Sequence, residues 1–155
     1  MHSLIFSVVP RKDGHALSLE SFYDSGYPWY ADYVEEVDDE QQKLDAIKAL
    51  CDAFPFCTRD VDDPFMLHID HKAAHAALLH QYREASGMYA KLAAGEYVPY
   101  GFEYAAELAA AGDDYGLHVL GYNSADMNDL KFTQFCADEK RPDMLYVKYI
   151  WDYHC

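Results

Sequence analysis

The sequence predicts an α+β fold in which helices pack on one mainly antiparallel sheet, within a single domain that covers residues 1–155. Two observations predict it. Apolar or alternating segments of strand length recur at residues 4–9, 65–69, 117–122 and 144–153, and other segments space their apolar residues three and four apart. A chain of 155 residues, 51% of them hydrophobic, can bury one core. We therefore expect about four to five strands and roughly three to four helices.

The first two extended segments are predicted in the N-terminal quarter of the chain. Residues 4–9 are apolar and β-branched and are closed by Pro10, which indicates a buried strand followed by a turn at residues 11–14. Between Trp29 and Asp38 alternate residues would lie on opposite faces of a strand. A helix starting at Pro28 is the alternative, and it would group Tyr30, Tyr33, Val34 and Val37.

A helix is predicted over residues 40–54. Asp39 followed three residues later by Gln42 resembles a capping box, and Pro55 ends the segment. The apolar residues at helical spacing are Leu44, Ile47, Leu50 or Cys51, and Phe54. They predict one face packed on the sheet.

A strand and a long helix follow in the middle of the chain. Residues 65–69 alternate as a strand, and Asp70 is placed to cap a helix over residues 71–94 that ends at Gly95. Its apolar stripe consists of Ala74, Leu78, Tyr82, Ala85, Tyr89 and Leu92. Gly87, beside Ser86, marks either a kink or a break between two shorter helices.

Five further segments are predicted in the last part of the chain. An aromatic loop at residues 96–104 leads into an alanine-rich helix that stops at Gly112, and residues 117–122 form a strand. A helix is expected to start at Asn123 or Ser124 and to run to about Ala137. The clearest strand is 144–153. We expect its odd-numbered apolar residues to share one face: Leu145, Val147, Tyr149, Trp151 and Tyr153.

Negative charge is concentrated in one part of the sequence. The chain has a net charge of −15, and residues 20–63 alone hold 13 acidic residues against Lys43, Lys48 and Arg59. A field of this sign repels phosphate backbones, so direct nucleic-acid binding is disfavoured, whereas association with a basic protein is accelerated. No segment has the length of a membrane span, and the four cysteines form no disulfide framework. We expect a cytoplasmic protein that does not bind membranes.

These observations favour a non-enzymatic inhibitor that binds a basic partner, either a toxin or a nucleic-acid-binding effector. Immunity proteins and anti-CRISPR or antirestriction proteins act in this way by occupying a cationic surface, as a nucleic-acid mimic does. Aromatic rings would anchor the contact, and carboxylates would select the partner. The predicted binding residues are Trp29, Tyr30, Tyr33, Glu35, Glu36, Asp60, Asp62 and Asp63.

The alternative is a small metal-dependent or hydrolytic enzyme that uses His71, His75 and nearby carboxylates. These two histidines are four residues apart and would project from one helix face, as zinc ligands do, and Cys51 and Cys57 lie upstream. The cysteine spacing is longer than zinc sites use, and the sequence holds neither an activated-serine motif nor a phosphate-binding glycine loop. We therefore predict no catalytic residue, no metal site and no cofactor.

Overall fold

The computed structural model describes residues 2–16, 18, 33–96, 118–120 and 126–154. In this part of the chain the predicted α+β fold is confirmed. The strands of its one sheet are β1 (His2–Val9), β2 (Tyr33–Glu36), β3 (Cys57–Arg59), β4 (Met66–Ile69), β5 (His118–Leu120), β6 (Asp126–Met127) and β7 (Met144–His154). The helices are α1 (Glu40–Ala53), α2 (His71–Ala93) and α3 (Asp129–Ala137).

The sheet is organised around β7, the longest strand. The strand order is β3-β4-β7-β1-β5-β6, and β1 pairs with β7 along its whole length. Every ladder is antiparallel except the one between β1 and β5. The other edge of β7 is shared, because β4 pairs with residues 144–146 and β2 pairs with residues 151–154.

The face predicted for β7 is divided by a β-bulge. The register with β1 shifts between Ser7 and Val8, which leaves Lys148 as an additional residue in β7. An additional residue moves the following side chains to the opposite face of the sheet. Leu145 and Val147 therefore share the core cluster with Ile150, whereas the buried side chains of Trp151 and Tyr153 lie outside that cluster. The expected single face over residues 145–153 is wrong for this reason.

One hydrophobic cluster connects the sheet with all three helices. From the strands it includes Phe6, Val8, Leu67, Ile69, Leu145, Val147 and Ile150. From the helices it includes Ala46, Ile47, Leu50, Ala74, Phe132, Phe135 and Cys136. Burial of these side chains is the main favourable contribution to folding, at roughly 1.5–3 kcal/mol for each large residue.

The predicted helix ends are confirmed where local chemistry determines them. The Asp39 carboxylate accepts a hydrogen bond from the backbone N–H of Gln42 at 2.8 Å, and the Asp70 carboxylate caps α2 in the same way. Helix α2 is continuous through Gly87, so no break occurs there. Its last residue is Ala93 and its C-cap is Ala94, and Gly95 follows with a φ of 80°, the left-handed conformation that glycine adopts without strain.

Two element predictions need correction, and others are not covered by the structure. Strand β3 was not predicted, because only Cys57 of its three residues is buried. Helix α3 begins at Asp129 with Asn128 as its cap, not at Asn123 or Ser124, since residues 126–127 pair with β5. The predicted alanine-rich helix lies outside the described residues, as does most of the aromatic loop before it.

Candidate functional site

The predicted acidic residues come from two segments that meet the same edge of β7. We call Glu35, Glu36, Asp60, Asp62 and Asp63 the acidic edge. After β2, the N–H of Val37 donates to the carbonyl of Ile150, and the turn before β4 is fixed by the N–H of Val147 donating to Phe65. These attachment points are three residues apart on β7, which corresponds to about 10 Å. The sheet therefore brings together segments that are more than twenty residues apart in sequence.

The β2 half of the acidic edge contains one exposed and one half-buried carboxylate. Glu35 is exposed and lies directly opposite Asp152 of β7. Like charges at facing positions of two strands repel each other. Glu36 is half-buried, and its carboxylate lies 4.0 Å from the ammonium group of Lys43. Glu35 is thus the more available of the two.

The turn half of the acidic edge uses two of its three carboxylates to build the turn itself. Asp60 accepts hydrogen bonds from the backbone N–H groups of Asp62 and Asp63, at 2.8 and 3.0 Å, and contacts the His68 ring at 2.6 Å. The hydrogen bond from His68 is the main reason why the pKa of Asp60 is lowered to about 2. Asp63 accepts from the Phe65 N–H and from Lys12 at 2.9 Å. Asp62 is exposed, and its side chain takes no part in the turn.

Tyr33 is the predicted aromatic anchor that the structure describes. Its ring is 42% exposed and stacks on the ring of His154, with centroids 5.8 Å apart and planes 12° from parallel. Partial burial raises the pKa of Tyr33, and the carboxylates of Glu35 and Asp152 raise it further. Trp29 and Tyr30 lie outside the described residues. Because Tyr33 and Glu35 belong to the same short strand, the exposed ring of Tyr33 lies next to the acidic edge.

The metal candidates do not form a coordination site. His71 contacts the carbonyl oxygen of Cys136 through Nδ1 at 2.6 Å, and His75 is exposed one turn further along α2. Cys57 is buried, and a hydrogen bond to the thiol of Cys136, together with burial, raises its pKa. Cys51 is half-buried, and burial raises its pKa too. Among the described residues no group of three or more His, Cys, Asp or Glu could hold a metal ion.

The pairing of Asp60 with His68 was not predicted from the sequence. These residues are eight apart, and they meet because β3 and β4 form a hairpin in which Thr58 lies opposite His68. The only sequence signal was that His68 occupies an outward position of an alternating strand. It could not be used further without β3.

Comparison with protein-family models, with curated proteins and with solved structures gives no match. None of the three described helices combines the length and the apolar character that crossing a membrane requires. Helix α2 is the longest at 23 residues, but it carries Lys72, Arg83, Glu84 and Lys91.

Proposed function

We propose that this protein is a non-enzymatic acidic inhibitor that binds a basic protein through the acidic edge. The observation that carries the proposal is the pair Glu35 and Asp62. Both side chains are exposed, and within the described residues neither forms an ion pair or a side-chain hydrogen bond. Their charges are therefore available to a partner without breaking a bond that stabilises the fold.

The charge of the whole chain supports the same proposal. A net charge of −15 produces a long-range field that accelerates encounter with a cationic surface, and salt screens this field over roughly 8 Å at physiological ionic strength. Tyr33 would add a flat apolar contact of the type on which arginine side chains stack. The carboxylates would then determine rate and specificity, and the ring would contribute affinity.

The partner is a toxin or a nucleic-acid-binding effector with a cationic groove. A groove that binds phosphates carries Lys and Arg at regular spacing, and surface carboxylates can occupy the same positions. In this class the protein acts as an immunity protein or an anti-CRISPR protein does, by covering the groove as a nucleic-acid mimic. Nucleic acid itself is repelled by the same charges.

A charge reversal of the two available carboxylates tests the proposal. Glu35→Lys combined with Asp62→Lys changes the charge by four units and leaves Asp60 and Asp63 in place. The matched control is Glu84→Lys combined with Glu96→Lys, which makes the same change at exposed positions on α2 and just beyond its end. Wild-type protein and both variants would serve as bait in affinity purification, followed by mass spectrometry.

We expect proteins with a high isoelectric point to be retained by the wild type and the control, and lost by the Glu35/Asp62 variant. For a purified partner, calorimetry at 50 and 200 mM NaCl should show affinity falling with salt, and the reversal should weaken binding about tenfold or more. Equal weakening by both double variants would mean that only total charge matters. Unchanged binding by the Glu35/Asp62 variant would refute the proposed site.

A further inference from the structure

The turn between β3 and β4 carries an apolar side chain that is almost fully exposed. Val61 is 97% exposed, and among the described residues the next most exposed large hydrophobic residue is Tyr33, at 42%. Single exposed hydrophobic residues are common on protein surfaces, so exposure alone does not indicate a binding site. What distinguishes Val61 is the turn that carries it.

The Asp60 carboxylate fixes the backbone around Val61. One of its oxygens accepts hydrogen bonds from the N–H groups of Asp62 and Asp63, at 2.8 and 3.0 Å. The backbone N–H of Asp60 donates to the carbonyl of Met66 at 2.8 Å, and the N–H of Met66 donates to the carbonyl of Asp63 at 2.9 Å. The backbone is therefore held on both sides of Val61.

The second half of the turn is attached to the sheet. Phe65 packs against the core cluster, and its carbonyl accepts a hydrogen bond from the N–H of Val147 at 2.8 Å. The Asp63 carboxylate lies 2.9 Å from the ammonium group of Lys12. A side chain on a fixed backbone loses little conformational freedom on binding, and branching at Cβ already restricts the rotamers of valine. Val61 is therefore preorganised for contact with another molecule.

The charges around Val61 indicate which surface it fits. The carboxylates at positions 60 and 63 are paired with a histidine and a lysine. Asp62 follows Val61 directly, is exposed, and forms no ion pair within the described residues. An apolar side chain beside a free carboxylate is complementary to a pocket that has apolar walls and a cation at its rim. Such a pocket belongs to a basic protein.

A second copy of the chain is the main alternative occupant. It carries the same net charge of −15, so two copies repel each other at long range. A two-fold contact between the two turns would also bring two Asp62 carboxylates together. A basic protein is attracted by the charge that a second copy would have to overcome. Charge complementarity therefore favours a different, basic protein.

We propose that Val61 inserts into an apolar pocket within the cationic surface of the partner, while Asp62 contacts a basic side chain at the rim of that pocket. This role of Val61 rests on the proposed function and narrows it. The partner's basic surface must contain a pocket that admits a small branched side chain, next to an arginine or a lysine. Val61 then contributes affinity in the turn half of the acidic edge, as Tyr33 does beside β2.

Val61→Thr tests this contact, because threonine keeps the branched shape and replaces one methyl group with a hydroxyl group. The first probe is the basic protein that the wild type retains in the affinity purification, produced in pure form. The second is poly-L-lysine, which carries positive charge but has no folded pocket. We expect calorimetry to show about tenfold weaker binding of the basic protein to Val61→Thr, because the hydroxyl group would be buried in an apolar pocket. Binding of poly-L-lysine should be unchanged.

The salt dependence of the affinity separates the apolar contact from the charge. Val61→Thr alters no charge, so the fall of affinity with salt should remain that of the wild type. Asp62→Asn should weaken binding of the basic protein and reduce its salt dependence. Leu79→Gln is the matched control, since it replaces an exposed apolar residue on α2 and should leave the affinity unchanged. Thermal unfolding of Val61→Thr should match that of the wild type, because position 61 is exposed.

The outcomes distinguish this contact from the proposed function. Equal binding of the basic protein by the wild type and Val61→Thr would overturn the contact and leave the proposed function in place. Equal weakening by Val61→Thr and Leu79→Gln would overturn it as well, because the effect would not be specific to the turn. A wild type that retains no basic protein would overturn the proposed function, and the role of Val61 with it.

Discussion

Phe132 provides the sharpest test of how the helices are held on the sheet. This α3 residue is fully buried. The centroid of its ring lies 5.0 Å from that of Phe54, with the rings edge to face, and 6.3 Å from that of Phe56. Each aromatic pair contributes about 0.5–1.5 kcal/mol beyond simple burial, so Phe132→Leu should cost about 1–3 kcal/mol. Phe132→Ala also removes most of the buried side chain and leaves a cavity, so we expect a loss of about 3–5 kcal/mol.

Urea unfolding followed by circular dichroism measures both losses. The urea concentration at the midpoint of unfolding should be highest for the wild type, lower for Phe132→Leu and lowest for Phe132→Ala. The dependence of the unfolding free energy on urea concentration should be the same for all three. Leu79→Ala on α2 is the control, because Leu79 is 37% exposed and its truncation should cost less than about 1 kcal/mol. A cost below about 1 kcal/mol for Phe132→Ala would show that the three rings do not form the packed contact described above.

Three further predictions concern the helix end, the acidic turn and the thiols. Gly95→Ala should destabilise the fold by about 1–2 kcal/mol because the φ of Gly95 is positive. Gly87→Ala should stabilise it by about 0.5–1 kcal/mol, since a Cβ at this position within α2 would meet no other atom. Urea unfolding measures both changes, and equal effects would contradict the role of Gly95 at the end of α2. The pKa of Asp60 is about 2 in the folded protein against an ordinary value of 3.8. Its contribution to the free energy of unfolding is therefore complete above about pH 4 and is lost as the pH falls through about 2. Asp60→Asn should flatten this part of the curve of stability against pH, and an unchanged curve would exclude Asp60 as the cause. In the Cys155→Ser variant, a thiol reagent should modify the half-buried Cys51 in the folded protein. It should reach Cys57 and Cys136 only when the protein unfolds, because both are buried. Fast reaction of all three thiols would contradict the burial of Cys57 and Cys136.

The sequence predicted those elements whose signals are local. Asp39 and Asp70 cap their helices through N–H groups three residues away, so each cap can be identified in a short window. The start of α3 was misplaced because Asn123, Ser124 and Asn128 are all good cap residues. Only the pairing of residues 126–127 with β5 selects Asn128, and that pairing is a tertiary contact.

The parts of the site that could not be predicted depend on contacts between strands. The bulge at Lys148 exists only relative to β1, so alternation along β7 placed Trp151 and Tyr153 on the wrong face of the strand. Local clustering of acids in the sequence predicted a negatively charged surface in the first part of the chain. It could not indicate that Asp63 also pairs with Lys12 and Asp60 with His68, because those contacts form only in the folded protein.

The turn at residues 60–65 connects the acidic edge with the ring of His68. The ammonium group of Lys148 donates a hydrogen bond to the backbone carbonyl of Lys12 at 3.0 Å. The ammonium group of Lys12 in turn forms an ion pair with Asp63, and Asp60 in the same turn is hydrogen-bonded to the His68 ring. A cationic group that displaced Lys12 from Asp63 would therefore loosen the turn whose Asp60 carboxylate contacts the His68 ring. The nuclear magnetic resonance signals of the His68 ring would report such a displacement, and constant signals on saturation with a bound basic protein would show that the two regions respond separately.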